Sequence, residues 1–345
     1  KFLLQYPLGT TKGFLPKKQD SVSETIAKNV KKNFISRYKN VFINHGLEIS
    51  SIEEKVVNRK SILRIKAVNL IYRREKELKK KITEIVSQII EKSIEKIIVV
   101  IDADALSMQE YQFRYEDLIR YKQGLIDYYA LSVLAPLQEV TSFADSNILY
   151  KGRKKVWVWT FRPQFMTYFG SNEGELKYDV GVLTDFQGYL FYELFYDLQL
   201  NYFFYASSFD KRHHQNETKL YVVRSDTLKY LDESSFHITK AFLQKNVNFF
   251  QGWYGRLTGG YFEMAYGGLA AELLYYPVQS NWAAGFECAK VWKRDYSGLG
   301  FQDVEKLNGK EASFFGLQYF LDLYSYFPDL GIGGKVSVGK FLAKD

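Results

Sequence analysis

The sequence predicts a mainly β protein: a transmembrane antiparallel β-barrel, incomplete in this chain at about nine strands, preceded by a small α/β domain. Three observations carry that expectation. First, Trp253–Tyr296 holds three strictly alternating runs separated by short turns. Trp253, Gly255, Leu257, Gly259 and Tyr261 share one face of the first, opposite Tyr254, Arg256, Thr258 and Gly260. A period of two means strand, because successive side chains leave opposite faces of a sheet. Apolar faces with aromatic ends, opposite sparse polar faces, suit lipid outside and a polar interior. A soluble sandwich also alternates and stays open at this point, although its solvated face would be more densely charged. Second, the first 130 residues hold 25 Lys+Arg against 16 Asp+Glu, and the remainder 22 against 23. A basic, helix-compatible part and a neutral, aromatic part make two domains. Third, no apolar run approaches the roughly 18 residues of a membrane helix, so any crossing must be made by strands. The lone Cys288 excludes an internal disulfide framework.

Residues 1–19 divide into an alternating KFLLQYPL stretch, expected as the end of an earlier strand, and a turn-rich linker. The α/β domain is expected over 20–130. Val22, Ile26, Val30, Phe34, Tyr38 and Phe42 recur every fourth residue, which predicts a helix over 21–45 stopped at Gly46. Strands follow near 48–57 and 61–69, turning at Asn58-Arg59. A second helix is expected over 71–93, from the Leu78, Ile82, Ile85, Val86, Ile89 and Ile90 stripe. The β-branched run 94–103 reads as a buried strand, 109–115 alternates, and 116–122 is a helical turn. Asp102 and Asp104 fall on one face of the expected strand end; paired carboxylates can bind a metal, but no further ligand lies near in sequence. No phosphate loop, nucleophile motif or Cys/His ligand spacing is present, so the domain reads as a docking module without a cofactor. Its basic excess reads as a solvated face, not a nucleic-acid site.

Residues 131–152 are expected as a connector and 153–345 as the barrel portion. Alternating runs are expected near 157–165, 178–185, 190–205, 238–250, 314–327 and 330–342, in addition to the three central ones. The longest, 190–205, sets Leu190, Tyr192, Leu194, Tyr196, Leu198 and Leu200 against Glu193, Asp197, Gln199 and Asn201. Residues 206–235 break the pattern, and His213-His214 within them read as solvated surface. The opposite faces supply the lumen candidates: Glu193, Asp197, Arg256, Glu272, Glu287, Gln318, Asp322 and Lys335. The hairpin register further predicts an Arg256–Glu272 contact with Glu287 nearby. These groups could hydrate a passing glycan, or pair off and fill the interior.

The runs VVRSD (222–226), YGRLTGGYFEMAYGGLAAELLYYP (254–277), WAAGFE (282–287), KRDY (293–296) and VGKFLAKD (338–345) together resemble the YjbH family. Arg224, Ser225 and Asp226 lie in the first motif; the family's His before it is Val222 here, and its terminal Arg-Tyr-Leu-Ala-Gly-Asp reads Lys340 to Asp345. The resemblance implies a Gram-negative, lipoprotein-associated outer-membrane component of exopolysaccharide or group 4 capsule export, with the α/β domain in the periplasm and an earlier barrel before it. It also implies a fragment lacking that barrel and the final strands. The partners implied are outer-membrane lipid, polysaccharide and other export proteins, with no nucleic acid, no cofactor and no enzymatic residues. A scaffold whose α/β domain binds periplasmic partners, and an outer-membrane lipid hydrolase, are the competing expectations.

Overall fold

The computed structural model describes residues 30–152, 156–168, 177–206, 223, 230, 234–302, 305–307, 310–312, 315–328 and 330–342. The expected strand and linker of 1–19, the first turns of the first helix, and Arg224–Asp226 and His213-His214 lie outside the described residues.

The first unit begins with α1 (Val30–Asn44) and the hairpin β1 (Leu47–Val57)–β2 (Lys60–Asn69). Asn58 and Arg59 both have positive φ, 50° and 64°, the signature of a two-residue type I′ turn whose twist matches its strands. α2 (Glu75–Ile89) then crosses over to β3 (Ile94–Ala103), which pairs parallel with β2, because parallel neighbours need such a connection. β4 (Leu106–Arg114) returns antiparallel, followed by α3 (Tyr115–Lys122) and α4 (Tyr128–Leu134). β5 (Leu137–Gln138) pairs with β4, and β6 (Asn147–Lys151) pairs with β1. The stretch expected as a connector therefore supplies both edge strands of this sheet, in the order β5-β4-β3-β2-β1-β6. Five residues and two residues were too short to show a period in the sequence.

Tyr38 and Phe42 of α1 and Ile82, Ile85, Val86 and Ile89 of α2 bury against Ile52, Leu63, Ile65, Ile97, Val99 and Tyr111 of the sheet. The helical stripe and the strand alternation thus meet in one core, a two-layer α/β arrangement. On the opposite face Arg64 and Glu110 form a buried ion pair at 2.8 Å. Glu110 also accepts from Gln112 and from the Thr141 hydroxyl, and Arg64 lies over the Phe143 ring.

The second unit is a nine-stranded antiparallel sheet. Its strands are β7 (Val158–Tyr168), β8 (Lys177–Tyr189), β9 (Phe195–Ala206), β10 (Phe236–Phe250), β11 (Trp253–Tyr261), β12 (Tyr266–Tyr275), β13 (Trp282–Lys293), β16 (Phe315–Phe327) and β17 (Ile332–Lys340). A separate small hairpin, β14 (Glu305–Leu307) with β15 (Lys310–Ala312), lies between β13 and β16. Each large strand pairs with its sequence neighbour, so the sheet is a plain meander. Its outer members, β7 and β17, are not paired to each other, and the sheet is open rather than a closed barrel among the described residues.

The expected single strand 190–205 is corrected. A 3-10 turn, Phe191–Glu193, reverses the chain there; Leu190 N–H donates to Leu194 O at 2.8 Å, and β9 starts only at Phe195. The pairing of Tyr189 with Phe195 requires this reversal. Glu193, at φ 60°, is exposed in the turn and is not on the strand with Asp197. The turn sets Leu, Phe and Tyr around Glu193, so the alternation ran through it without a break.

The sheet's two faces are inverted relative to a soluble protein. Leu257, Leu269, Leu321, Val336 and Val338 are each more than three-fifths exposed, and Phe161, Phe165, Leu243, Leu317 and Leu323 are exposed too. On the other face Asp179, Asp185, Asn201 and Asp322 are buried. The register keeps the apolar side continuous: Trp159 is opposite Phe186, Phe186 opposite Leu198, Leu273 opposite Phe286, Phe286 opposite Leu321, and Leu321 opposite Val338.

Turns and loops also segregate. The connections 190–194, 251–252, 276–281 and 328–331 follow strand ends on the side where the α/β unit enters; the β9–β10 and β13–β16 connections, the longest in the sheet, leave strand ends on the other side, together with the short turn 262–265.

Candidate functional site

The polar face of the nine-stranded sheet gathers the ionisable side chains, because the register places them opposite one another. Arg256 of β11 stands directly across from Glu272 of β12, and its guanidinium hydrogen-bonds that carboxylate, the contact the hairpin register predicts. Glu272 is in turn opposite Glu287 of β13. Two adjacent carboxylates would repel, and each is drawn to its own cation. Lys335 of β17 reaches Glu287 at 3.1 Å and Asp322 of β16 at 3.0 Å. Asp322 also accepts from the Ser337 hydroxyl, its direct cross-strand partner, at 2.5 Å. Arg256, Glu272, Glu287, Asp322 and Lys335 therefore form one connected band over five strands, two cations among three carboxylates.

Gln318 lies beside this band. With Glu272, Glu287, Phe262 and Phe320 it lines a cavity of about 130 Å³. Asp197 sits on the same face further along, opposite Phe242 and Gln187. Glu193 is the one lumen candidate that the fold removes from the face.

A second cluster was not singled out from sequence. Asp185 of β8 accepts from Arg162 at 2.6 Å and from Gln199 at 2.5 Å, and Thr160 lies at 3.3 Å. Alternation alone put these residues on one face; only the β7–β8–β9 register shows that they converge.

At the long-loop end, Tyr230, Ala265, Tyr266, Ala289 and Val291 pack together, with Phe262, Met264, Tyr296 and Leu342 around them. Arg294 is fully buried there, donating to the carbonyls of Ile238 and Glu263 at 2.7 Å each and to that of Gly298, with its guanidinium 4.0 Å above the Tyr261 ring. The Tyr230 hydroxyl donates to Arg294 O, and Tyr266 donates to Val223 O. The KRDY motif thus ties the loops across this end of the polar face.

The α/β unit approaches the opposite end. Asn246 and Asn248 of β10 donate to the carbonyls of Asp104 and Ser107 at 3.1 and 3.2 Å, and Tyr254 of β11 donates to Met108 O at 3.0 Å. Gln279 donates to Leu137 O at 2.6 Å, and Val278 packs against the α/β core.

Asp102 and Asp104 do not form a carboxylate pair. Asp104 occupies the β3–β4 turn, and Asp102 accepts from the hydroxyls of Ser50 and Ser107 at 2.6 and 2.9 Å. His45 hydrogen-bonds Val41 O through Nδ1 at 2.8 Å, within the last turn of α1. Cys288 belongs to the apolar face, opposite Ala271 and Tyr319. No described helix is long and apolar enough to cross a membrane, which says nothing about strands.

A family model for YjbH, described as "Exopolysaccharide biosynthesis protein YbjH", matches residues 1–345. Among curated proteins, the chain is similar to "Uncharacterized lipoprotein YjbH" of Escherichia coli (strain K12), 29% identical over 151 residues. That match covers 41% of this chain and 20% of the relative, so the chain spans only a fraction of the relative's length. No solved structure matches.

Proposed function

The chain belongs to the YjbH family of exopolysaccharide biosynthesis proteins, and from that premise we propose that it is an outer-membrane component of polysaccharide secretion. Its apolar sheet face meets lipid and its polar face borders a passage for glycan. The inverted sheet carries this reading. Exposed apolar or aromatic side chains occur on each of the nine strands, while aspartates on the other face are buried. So extensive an apolar surface is unstable in water and is the normal exterior of a membrane strand array. The strands fit too: each has at least 9 residues, against the roughly 9–11 a tilted membrane strand needs. In lipid the free edges of β7 and β17 must be paired, because hydrocarbon offers no hydrogen bonds. Short turns beside the α/β unit support a periplasmic position for it, since barrel turns are short on the periplasmic side.

The protein acts without catalysis. Its polar band offers carboxylates, amides and hydroxyls as hydrogen-bond partners for sugar hydroxyls, and the export system's other proteins deliver the polymer. A scaffold reading draws on a different observation: the α/β unit already occupies part of the polar face. Complementation separates the two. A strain lacking the protein is supplied with the Asp185→Ala, Glu287→Ala, Asp322→Ala variant, and secreted and periplasmic polysaccharide are measured. The passage reading expects normal assembly with polymer retained in the periplasm. Normal secretion by a well-assembled variant would favour the scaffold.

A further inference from the structure

The tip of the β3–β4 hairpin is where the α/β unit touches the polar face. Its two turn residues, Asp104 and Ala105, both have positive φ, 47° and 68°. Ala rarely adopts that region, so the tight reversal is kept although the residues do not favour it. The tight turn gives a narrow tip, and that tip is aimed at β10 and β11. Asn246, Asn248 and Tyr254 all lie on the Arg256 side of the sheet, as the pairs Asn246–Arg256 and Asn248–Tyr254 require. All three donate to main-chain carbonyls of the hairpin. The Asp104 carboxylate also acts electrostatically on Arg256 and on Tyr189, which lie on different strands of the sheet. The tip therefore stands in front of the charged band, at the end where the α/β unit enters.

The two attachments differ in kind. At 276–281, Val278 packs into the α/β core and Gln279 bonds Leu137 O. At the tip, the contacts are three neutral hydrogen bonds, those of Asn246 and Asn248 solvent-exposed and that of Tyr254 part-buried. Neutral exposed bonds exchange readily with water, whereas apolar packing does not.

We propose that the Asp104-Ala105 hairpin is a displaceable plug for the periplasmic mouth of the passage, seated by Asn246, Asn248 and Tyr254 and hinged at the 276–281 turn. The proposal rests on the reading that the polar face borders a passage. Seating closes the mouth, and release of the three amide and hydroxyl contacts opens it without dissociating the α/β unit.

The test uses the intact natural protein in outer-membrane vesicles, with efflux of a neutral oligosaccharide as the readout. The variant Asn246→Ala, Asn248→Ala, Tyr254→Phe removes the seat. Losing three neutral hydrogen bonds shifts the seated-to-open ratio by roughly a hundredfold, so efflux rises. A reducible bis-maleimide joining Asp104→Cys to Asn246→Cys, in a Cys288→Ser background, is expected to stop efflux until the linker is reduced. If the parent conducts, and neither the seat variant nor the cross-link changes its efflux, the plug is overturned and the passage stands. If parent, seat variant and reduced cross-link all pass nothing while present in the membrane, the passage reading falls and takes the plug with it.

Discussion

At the residue scale, the two ion-pair systems have opposite energetic characters. Arg256–Glu272 is part-exposed and cross-strand, a geometry that contributes about 0.2–1 kcal/mol. Arg256→Ala is therefore expected to leave assembly intact, with urea unfolding of the folded band shifted by no more than about 1 kcal/mol. Arg64–Glu110 is sealed from water, and Glu110 is also bonded by Gln112 and Thr141. Glu110→Ala leaves the guanidinium buried without its anion and is expected to cost about 3–5 kcal/mol, read as loss of cooperative unfolding of the α/β unit. Two tyrosines give that unit a pH limit. Burial, with Glu75 adding to it at Tyr111, holds the Tyr38 and Tyr111 hydroxyls well above the ordinary phenol range. A folded-state value raised above the unfolded one, about 10, stabilises fully below that pH and is lost as pH rises beyond it. The tyrosinate absorbance due to Tyr38 and Tyr111, taken as the difference from a Tyr38→Phe, Tyr111→Phe variant, is expected to lag free tyrosine and then appear together with unfolding; gradual titration of that difference from about pH 10 in the folded state would contradict the burial. The Arg256–Glu272 contact was legible in sequence because hairpin register follows from a short turn. The seat residues were not: Asn246 and Asn248 looked like two more polar positions until a hairpin some 140 positions away arrived in front of them.

At the element scale, strands were legible where turn chemistry differs from strand chemistry. Asn58-Arg59 and Gly46 marked their reversals, and β3 was bounded to the residue by its β-branched run. The failure at 190–194 has the converse cause. Residues 190–194 set Leu, Phe and Tyr around Glu193, which falls in step with the alternation, so side-chain patterning carried no information about the backbone reversal. β5 and β6 were invisible for another reason: short edge strands are set by the neighbour they pair with, not by their own period. The type I′ turn offers a clean check. Arg59 sits at φ 64°, a region costing a non-glycine residue about 1–2 kcal/mol, partly offset by glycine's greater unfolded entropy. Arg59→Gly is expected to stabilise the α/β unit by about 0.5–1 kcal/mol in denaturant unfolding, and a destabilisation would mean the turn is read wrongly.

At the scale of the whole molecule, the pieces agree on an orientation. Short turns, the α/β unit and the hairpin tip share one end; the KRDY-centred loop cluster shares the other with the long connections. The face of nearly every strand followed from alternation, which is a local property. What the sequence left open was closure and the meeting of the domains, which depend on contacts between residues far apart in the chain. The central claim is that the apolar face of the sheet meets lipid. Single cysteines at Leu257, Leu321 and Val338, and at Gln244, Thr258 and Gln318 on the polar face, can be labelled with a membrane-impermeant maleimide in outer-membrane vesicles, all in a Cys288→Ser background. The account predicts that the first three resist the reagent and react with a lipid-soluble one, while the polar-face set reacts with the aqueous reagent. Rapid aqueous labelling at Leu257, Leu321 and Val338 would contradict it.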